Sequence, residues 1–261
     1  MPLQRDHILS ARDGAPVGIQ NPDGRADILL ICEHASNRIP AALDNLGLDD
    51  PALQSHVAWD PGALSVAQML SDKLDATLIF ANFSRLVYDC NRPPDCPDAM
   101  PAKSEVFAIP GNENIPAPQR AARIREVYQP FATAVSGEIL RRIAQNTPPV
   151  IITIHSFTPL YFGKTRDVKL GILHDTDRKL ADAMLAVPGD FTAQRNQPYG
   201  PQDGVTHTLK LHALPNGLLN VMIEVRNDLI ATPSAQKNIS DILFHMINQA
   251  LKALKTEGAH A

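Results

Sequence analysis

Two apolar runs that each end in histidine constrain this chain more than any other feature. Residues 28–32 are followed at once by Glu33 and His34, and residues 150–154 are followed by His155. Unbroken apolar runs of this length are typical of strands buried on both faces of a largely parallel sheet. Ligands of such proteins bind beyond the carboxyl ends of the strands. The sequence therefore predicts an α/β fold with both histidines at its functional edge.

The rest of the chain alternates between helical and strand patterns. Apolar spacing predicts helices at 62–74, 118–145 (bent near Pro130), 177–185, 205–214 and 234–255. Further strands are predicted at 76–81, 168–173 and 219–225. This alternation predicts a three-layer α/β/α sandwich around a mixed, mostly parallel sheet.

The domain boundaries follow from composition and length. Residues 1–26 are rich in Asp, Gly and Pro and are expected to form an irregular lead-in, with a single domain at 27–256. Residues 93–118 contain many Pro and Gly residues without periodicity. Loops of this length are often lids or binding loops.

Charge and hydropathy exclude several classes of function. The chain has 261 residues, 44% of them hydrophobic, and a formal net charge of −4. Because it lacks a long basic run, nucleic acid is not an expected partner. Neither a bilayer-spanning segment nor a signal-peptide pattern is found, so the expected location is the cytoplasm. The oligomeric state does not follow from these features.

Polar residues follow several of the apolar runs, and their types suggest a shared site. They are Glu33, His34, Asp60, Asp89, Asn91, Arg92, His155, Glu224 and Arg226. Two imidazoles and a carboxylate bind zinc with a position left for water, and a second carboxylate serves as general base. Arginine beside an amide suits a substrate carboxylate. The set indicates metal-assisted hydrolysis of an amide in a small acidic molecule, although each residue alone also fits a structural hydrogen bond.

Five motifs in order make the chain resemble the N-formylglutamate amidohydrolase family. They are CEHASNRIP at 32–40, DPGA at 60–63, SRLVYDCNRP at 84–93, IHSF at 154–157 and EVRNDLI at 224–230. That family is similar in fold to zinc carboxypeptidases and aspartoacylases. The resemblance implies a phosphorylase/hydrolase-like sandwich and hydrolysis of an N-acyl acidic amino acid such as N-formyl-L-glutamate.

The resemblance also implies roles for individual residues. His34 and His155 match the two histidine ligands of one Zn²⁺ per chain, a set that also accepts cobalt or manganese. Asn91 and Arg92 match a pair that holds a substrate carboxylate. Glu224 has the position of the late-chain catalytic glutamate, although a salt bridge with its neighbour Arg226 is an alternative.

The third metal ligand departs from the wider pattern. Carboxypeptidase-like enzymes have glutamate three residues after the first histidine, where this chain has Asn37. Asp60 is the expected substitute, because an anionic ligand partly balances the charge of zinc, but Asp60 also fits a helix N-cap. Glu33 competes with it, although adjacent strand residues point to opposite faces unless the chain turns.

Further substrate-binding candidates are Arg85, Arg226 and Tyr199 of the PYG loop. His207 and His212 lie five residues apart on a predicted helix and do not suggest a metal pair. Two other functions remain open at this point: hydrolysis of a different N-acyl amino acid or short peptide, and a metal-free carboxylate-binding or regulatory role.

Overall fold

The computed structural model describes residues 7–189 and 192–258. Its strands are β1 (Val17–Gln20), β2 (Ile28–Cys32), β3 (Thr77–Ala81), β4 (Lys103–Ser104), β5 (Phe107–Ala108), β6 (Val150–Phe157), β7 (Leu160–Tyr161), β8 (Lys164–Thr165), β9 (Leu170–Leu173), β10 (Ala193–Arg195) and β11 (Asn220–Arg226). Its α-helices are α1 (Asp50–Gln54), α2 (Ala63–Leu74), α3 (Ala117–Arg123), α4 (Gln129–Ala144), α5 (Lys179–Leu185) and α6 (Pro233–Gly258).

Seven of the described strands form one mixed sheet in the order β1-β3-β2-β6-β11-β9-β10. The four central strands β3, β2, β6 and β11 run parallel to one another. At the two sides, β1 and β9 run antiparallel to β3 and β11. Because the carboxyl ends of the parallel strands share one edge, the predicted functional residues are brought to that edge.

Both faces of the sheet are covered, which confirms the three-layer α/β/α sandwich. In β2, Ile28, Leu30 and Cys32 pack into one core, and Leu29 and Ile31 pack into the other. Helices α2, α5 and α6 cover the first core and α4 covers the second. This burial on both sides explains why the strand is apolar at every position. None of the helices in the described ranges is long and apolar enough to cross a membrane.

The lead-in differs from the sequence expectation, because residues 17–20 form strand β1 rather than irregular chain. This strand pairs antiparallel with β3, and Val17 lies opposite Ala81. β1 is at the edge of the sheet, and its Ile19 is 53% exposed. An edge strand with an exposed apolar side chain lacks the alternation that identifies a half-buried strand.

Two predicted helices contain wider turns. The helix expected at 118–145 consists of α3, a π-helical stretch at Ile124–Tyr128, and α4. Pro130 follows this stretch; it has no N–H to donate and its ring crowds the preceding turn, which favours a bulge there. The helix expected at 205–214 is π-helical over Leu209–Ala213. The long segment 93–118 contains the small hairpin β4–β5.

Candidate active site

A row of ionisable side chains crosses three adjacent strands at the carboxyl edge of the sheet. His155 on β6 lies directly opposite Glu224 on β11. On the other side of β6, Ile31 pairs with Thr153, which places Glu33 near His155 two residues further along. All three ionisable side chains are buried. His155 and Glu224 point towards the α4 layer, since residues alternate between faces along each strand.

A turn at the end of β2 lets two consecutive residues reach the same histidine. β2 ends at Cys32, and the chain turns at Glu33 and His34. The Glu33 Oε2 atom lies 3.1 Å from Nε2 of His155. The rings of His34 and His155 meet edge to face with centroids 4.9 Å apart. The turn therefore removes the opposite-face restriction that holds within a regular strand.

Asp60 joins the two histidines in a buried cluster. Its Oδ2 lies 3.3 Å from Nδ1 of His34 and 3.0 Å from Nδ1 of His155. The backbone N–H of Ser156 donates to the same oxygen at 3.1 Å. One candidate ligand atom from each of the three residues lies within 4.8 Å of the others. Asp60 does not cap α2, whose N-cap is Gly62.

Each histidine has a second carboxylate on the far side of its ring. Nε2 of His34 lies 2.7 Å from Oδ1 of Asp89, as Nε2 of His155 lies close to Glu33. Both Nδ1 atoms consequently face Asp60. This arrangement fits a divalent metal, because histidine ligands usually give their other ring N–H to a carboxylate that fixes the ring.

The pKa values of Asp60 and Glu224 are shifted in opposite directions. Burial opposes ionisation of Asp60, but His34 and His155 lower the pKa of its carboxyl far below the ordinary value. Burial raises the pKa of Glu224 to about 7, and the charge of Asp60 adds to this effect. Glu224 Oε2 has no hydrogen-bond partner among the described residues. An acid that titrates near neutral pH is suited to proton transfer.

The cluster opens into a small polar cavity of about 160 Å³. The residues that line it are His34, His56, Asp60, Arg85, Asn91, Arg92, Ser104, Glu105, His155, Ser156, Phe157, Thr158, Tyr161, Tyr199, Val205 and Glu224. Segment 93–118 contributes Ser104 and Glu105, in keeping with its interpretation as a binding loop. Eight of the nine site residues predicted from the sequence line this cavity, all except Arg226, and they are accompanied by residues that the motifs did not include.

The arginines at the cavity differ in how their charge is used. Arg85 lies between two carboxylates, with Nη1 3.5 Å from Asp60 and Nη2 2.8 Å from Asp89. Arg92 donates from Nη1 to the carbonyl oxygens of Asn91 and Gly204, at 3.0 and 2.9 Å. Among the described residues no carboxylate pairs with Arg92. Its charge is therefore available to an anionic ligand.

Asn91 lines the cavity, but its amide is occupied by the backbone. Its Nδ2 donates to the carbonyl of Val205, and its Oδ1 accepts from the N–H of Thr208. Asn91 thus holds the loop before the π-helical stretch. Tyr199, also on the cavity wall, accepts a 2.8 Å hydrogen bond from Nη1 of Arg166.

Arg226 and Asn37, both considered from the sequence, lie outside the cavity. Arg226 is bound to both oxygens of Asp228, at 2.8 and 3.1 Å, and is not among the lining residues. Glu224, two residues earlier on β11, is therefore not the ion-pair partner of Arg226. Asn37 donates to the carbonyl of Leu53 at 3.0 Å, away from the histidines.

Sequence reasoning missed His56, Glu105 and Arg166 as parts of the site, whereas Asp89 is among the residues that the sequence singles out. Asp89 follows Arg85 by four residues and forms an ion pair with it. His56 and Glu105 come from segments without periodicity, so their approach to 2.8 Å depends on loop conformation. His207, by contrast, contacts the hydroxyl of Tyr128 and is not a lining residue.

The fold and the site together define an α/β protein with a buried histidine–carboxylate cluster at the carboxyl edge of its sheet. Residues 26–231 match the sequence profile of the N-formylglutamate amidohydrolase family. The chain belongs to this family, which supports amide hydrolysis as its type of reaction. No curated protein matches the chain.

Solved structures that are similar to this chain include the following two. The gene product Atu2144 from Agrobacterium tumefaciens is 52% identical, with a TM-score of 0.94 over 95% of this chain and 100% of the other. The N-formylglutamate amidohydrolase from Ralstonia eutropha JMP134 is 16% identical, with a TM-score of 0.62 over 93% of this chain and 99% of the other. At that identity the second structure supports the fold alone.

Proposed function

We propose that this chain is a zinc-dependent amidohydrolase that cleaves the amide bond of a small N-acyl acidic amino acid such as N-formyl-L-glutamate. The observation that carries the proposal is the convergence of Nδ1 of His34, Nδ1 of His155 and Oδ2 of Asp60. This set lies beside a free carboxyl group, Glu224, in one small cavity.

The cluster fits a zinc ion in its number of ligands and in the carboxylates that lie behind the two histidine rings. Two histidines and one carboxylate leave a fourth position for water or substrate, as in catalytic zinc sites. Asp89 is hydrogen-bonded to the ring of His34 from behind, and the carboxylate of Glu33 lies 3.1 Å from the far side of the His155 ring. A bound zinc ion would supply Lewis acidity, which lowers the pKa of water towards about 7 and polarises a carbonyl.

Glu224 is the proposed proton carrier. Its unpartnered Oε2 accepts a proton from the attacking water and delivers it to the departing amide nitrogen. The hydroxyl of water is thereby added to the acyl carbon and its proton to nitrogen, so that N-formyl-L-glutamate yields formate and glutamate. Because burial raises the pKa of Glu224 to about 7, both transfers are possible near neutral pH.

The cationic part of the cavity supports an anionic substrate. The guanidinium of Arg92 lies on the cavity wall without a carboxylate partner among the described residues, and Arg85 adds positive charge between Asp60 and Asp89. A guanidinium holds a carboxylate by two parallel hydrogen bonds. The cavity of about 160 Å³ suits a small molecule rather than a long peptide.

The metal is tested on protein purified without chelator. We expect about one zinc ion per chain by elemental analysis, and formate release that is lost on chelation and restored by zinc, cobalt or manganese. Metal-free protein that still hydrolyses the substrate at full rate would overturn the mechanism. A panel of substrates that vary in the acyl group and the amino acid tests the specificity. If the protein cleaves only N-acyl compounds without an acidic side chain, the proposed substrate is wrong.

The role of Glu224 is tested by Glu224→Gln. We expect kcat to fall by about 10²–10⁴-fold because the general base is lost, while metal content stays the same. The matched control is Glu113→Gln, which makes the same change at an exposed site and leaves kcat unaltered. Full turnover by the Glu224 variant would remove this residue from proton transfer.

A further inference from the structure

Arg166 carries a positive charge that the described part of the chain does not neutralise. No carboxylate of the described residues lies within ion-pair distance of it. Instead, its guanidinium lies over three aromatic rings, with its carbon 4.2 Å from the ring centre of Tyr161, 4.8 Å from Tyr199 and 5.7 Å from Phe157. All three rings line the cavity of the candidate active site. Arg166 itself is not a lining residue, so its charge lies directly behind this aromatic part of the cavity wall.

The position of Arg166 is fixed by its backbone. Its N–H donates to the carbonyl of Pro159 at 2.8 Å, and its own carbonyl accepts from Nη1 of Arg226 at 2.9 Å. Arg226 is held in turn by both oxygens of Asp228. These bonds hold the backbone, and the three rings hold the side chain, before any ligand arrives, which lowers the entropic cost of binding.

The hydrogen bond between Arg166 and Tyr199 directs a donor towards a ligand. Nη1 of Arg166 donates to the oxygen of Tyr199 at 2.8 Å, so the proton of the hydroxyl is free to be donated elsewhere. A cationic donor strengthens the hydroxyl as a donor. Burial, aided by Glu224, raises the pKa of Tyr199 to about 12, which keeps its proton in place at neutral pH.

A substrate with two carboxylates needs two cationic groups. Arg92 supplies one unpaired charge, whereas Arg85 is shared by Asp60 and Asp89. We propose that the Tyr199 hydroxyl, with the charge of Arg166 directly behind it, recognises the second carboxylate of a dianionic substrate and selects it over the neutral amide. This inference rests on the proposed amidohydrolase function and adds a specificity-determining residue to it.

The test compares N-formyl-L-glutamate with N-formyl-L-glutamine, which differ only in the side-chain carboxylate. We expect Arg166→Met to raise KM for the glutamate substrate by about 10- to 100-fold, the loss of a charge-assisted hydrogen bond. KM for the glutamine substrate and kcat for both should change by less than about threefold. Arg166→Lys, which keeps the charge, should recover part of the preference. The control is Lys164→Ala, which removes an exposed cation from the same hairpin.

Equal losses on both substrates, or a fall in kcat alone, would overturn the proposal and leave Arg166 a packing residue. A measurement on the unaltered protein guards against a variant that does not fold. Calorimetric titration should give tighter binding for glutarate than for its monoamide, and equal affinities would contradict the proposal. If the metal-loaded protein releases formate from neither substrate, the proposed reaction fails, while the titration still tests recognition of the second carboxylate.

Discussion

At the scale of single residues, Glu33 is the most informative. Its carboxylate is completely buried, which is costly for a charged group without a partner. Its partner is Nε2 of His155, on the opposite side of the ring from Asp60. Glu33 therefore supports a candidate ligand from behind instead of competing with Asp60 for the metal.

Glu33→Gln tests this support. We expect zinc affinity to fall by about 10- to 100-fold, because the neutral amide no longer fixes and polarises the ring of His155. Competition with a chromophoric chelator measures the change, and Glu113→Gln serves as the exposed control. Unchanged affinity in the Glu33 variant would show that the contact does not influence the metal.

The sequence contained enough to predict the three-residue cluster, but not its orientation. Strand ends identify His34 and His155, and the family motif adds Asp60. The sequence alone does not decide whether the chain turns after Cys32, so Glu33 competes with Asp60 as a ligand until the turn is seen. Asn91 shows a second limit, because its motif position predicts a substrate contact whereas its amide holds the backbone of residues 205–208.

At the scale of elements, two hairpins meet beside the cavity. The β4–β5 hairpin carries Glu105, whose Oε2 lies 2.8 Å from Nε2 of His56. Its other oxygen accepts a 2.7 Å hydrogen bond from the N–H of Phe162, between β7 and β8. One side chain thus connects both hairpins to the wall of the site.

Glu105→Ala should loosen these hairpins without unfolding the protein. We expect amide exchange at residues 103–108 and 160–165 to accelerate on the order of tenfold, the loss of about 1–2 kcal/mol of local hydrogen bonding. Hydrogen-exchange mass spectrometry measures this, with Glu113→Ala as the control. If amide exchange at these residues is no faster in Glu105→Ala than in the parent protein, Glu105 does not hold the hairpins.

The elements divide into those with a strong periodic signal and those without. The buried strands β2, β6 and β11 and the helices α2 and α6 follow from apolar spacing, since each packs on a core. The edge strand β1 and the two-residue strands of the hairpins have too little buried surface to leave a pattern. Their pairing depends on neighbours that are distant in sequence.

At the scale of the whole molecule, His212 links folding to pH. Burial, followed by the charge of nearby His207, lowers the pKa of His212 to about 4. In the unfolded chain the ordinary value is about 6.5. Between these values the unfolded chain binds the extra proton, so its free energy is lowered relative to the folded state as pH falls.

We therefore expect this histidine to cost up to about 3 kcal/mol of stability as pH falls from about 6.5 to about 4. Urea unfolding of the protein and of His212→Asn over this range measures the difference between their pH slopes. His245→Asn, at an exposed position of α6, is the control and should follow the parent protein. Parallel curves for the protein and the His212 variant would contradict the assignment.

The row formed by Glu33, His155 and Glu224 has a consequence for how sequences of this kind can diverge. Its members are aligned by the pairing register of β2, β6 and β11. Inserting one residue into β6 before His155 would reverse the face of every later side chain on that strand. The imidazole of His155 would then lose contact with both Glu33 and Glu224, although the strand would remain apolar enough to fold. Insertions compatible with activity are therefore restricted to the connections between strands.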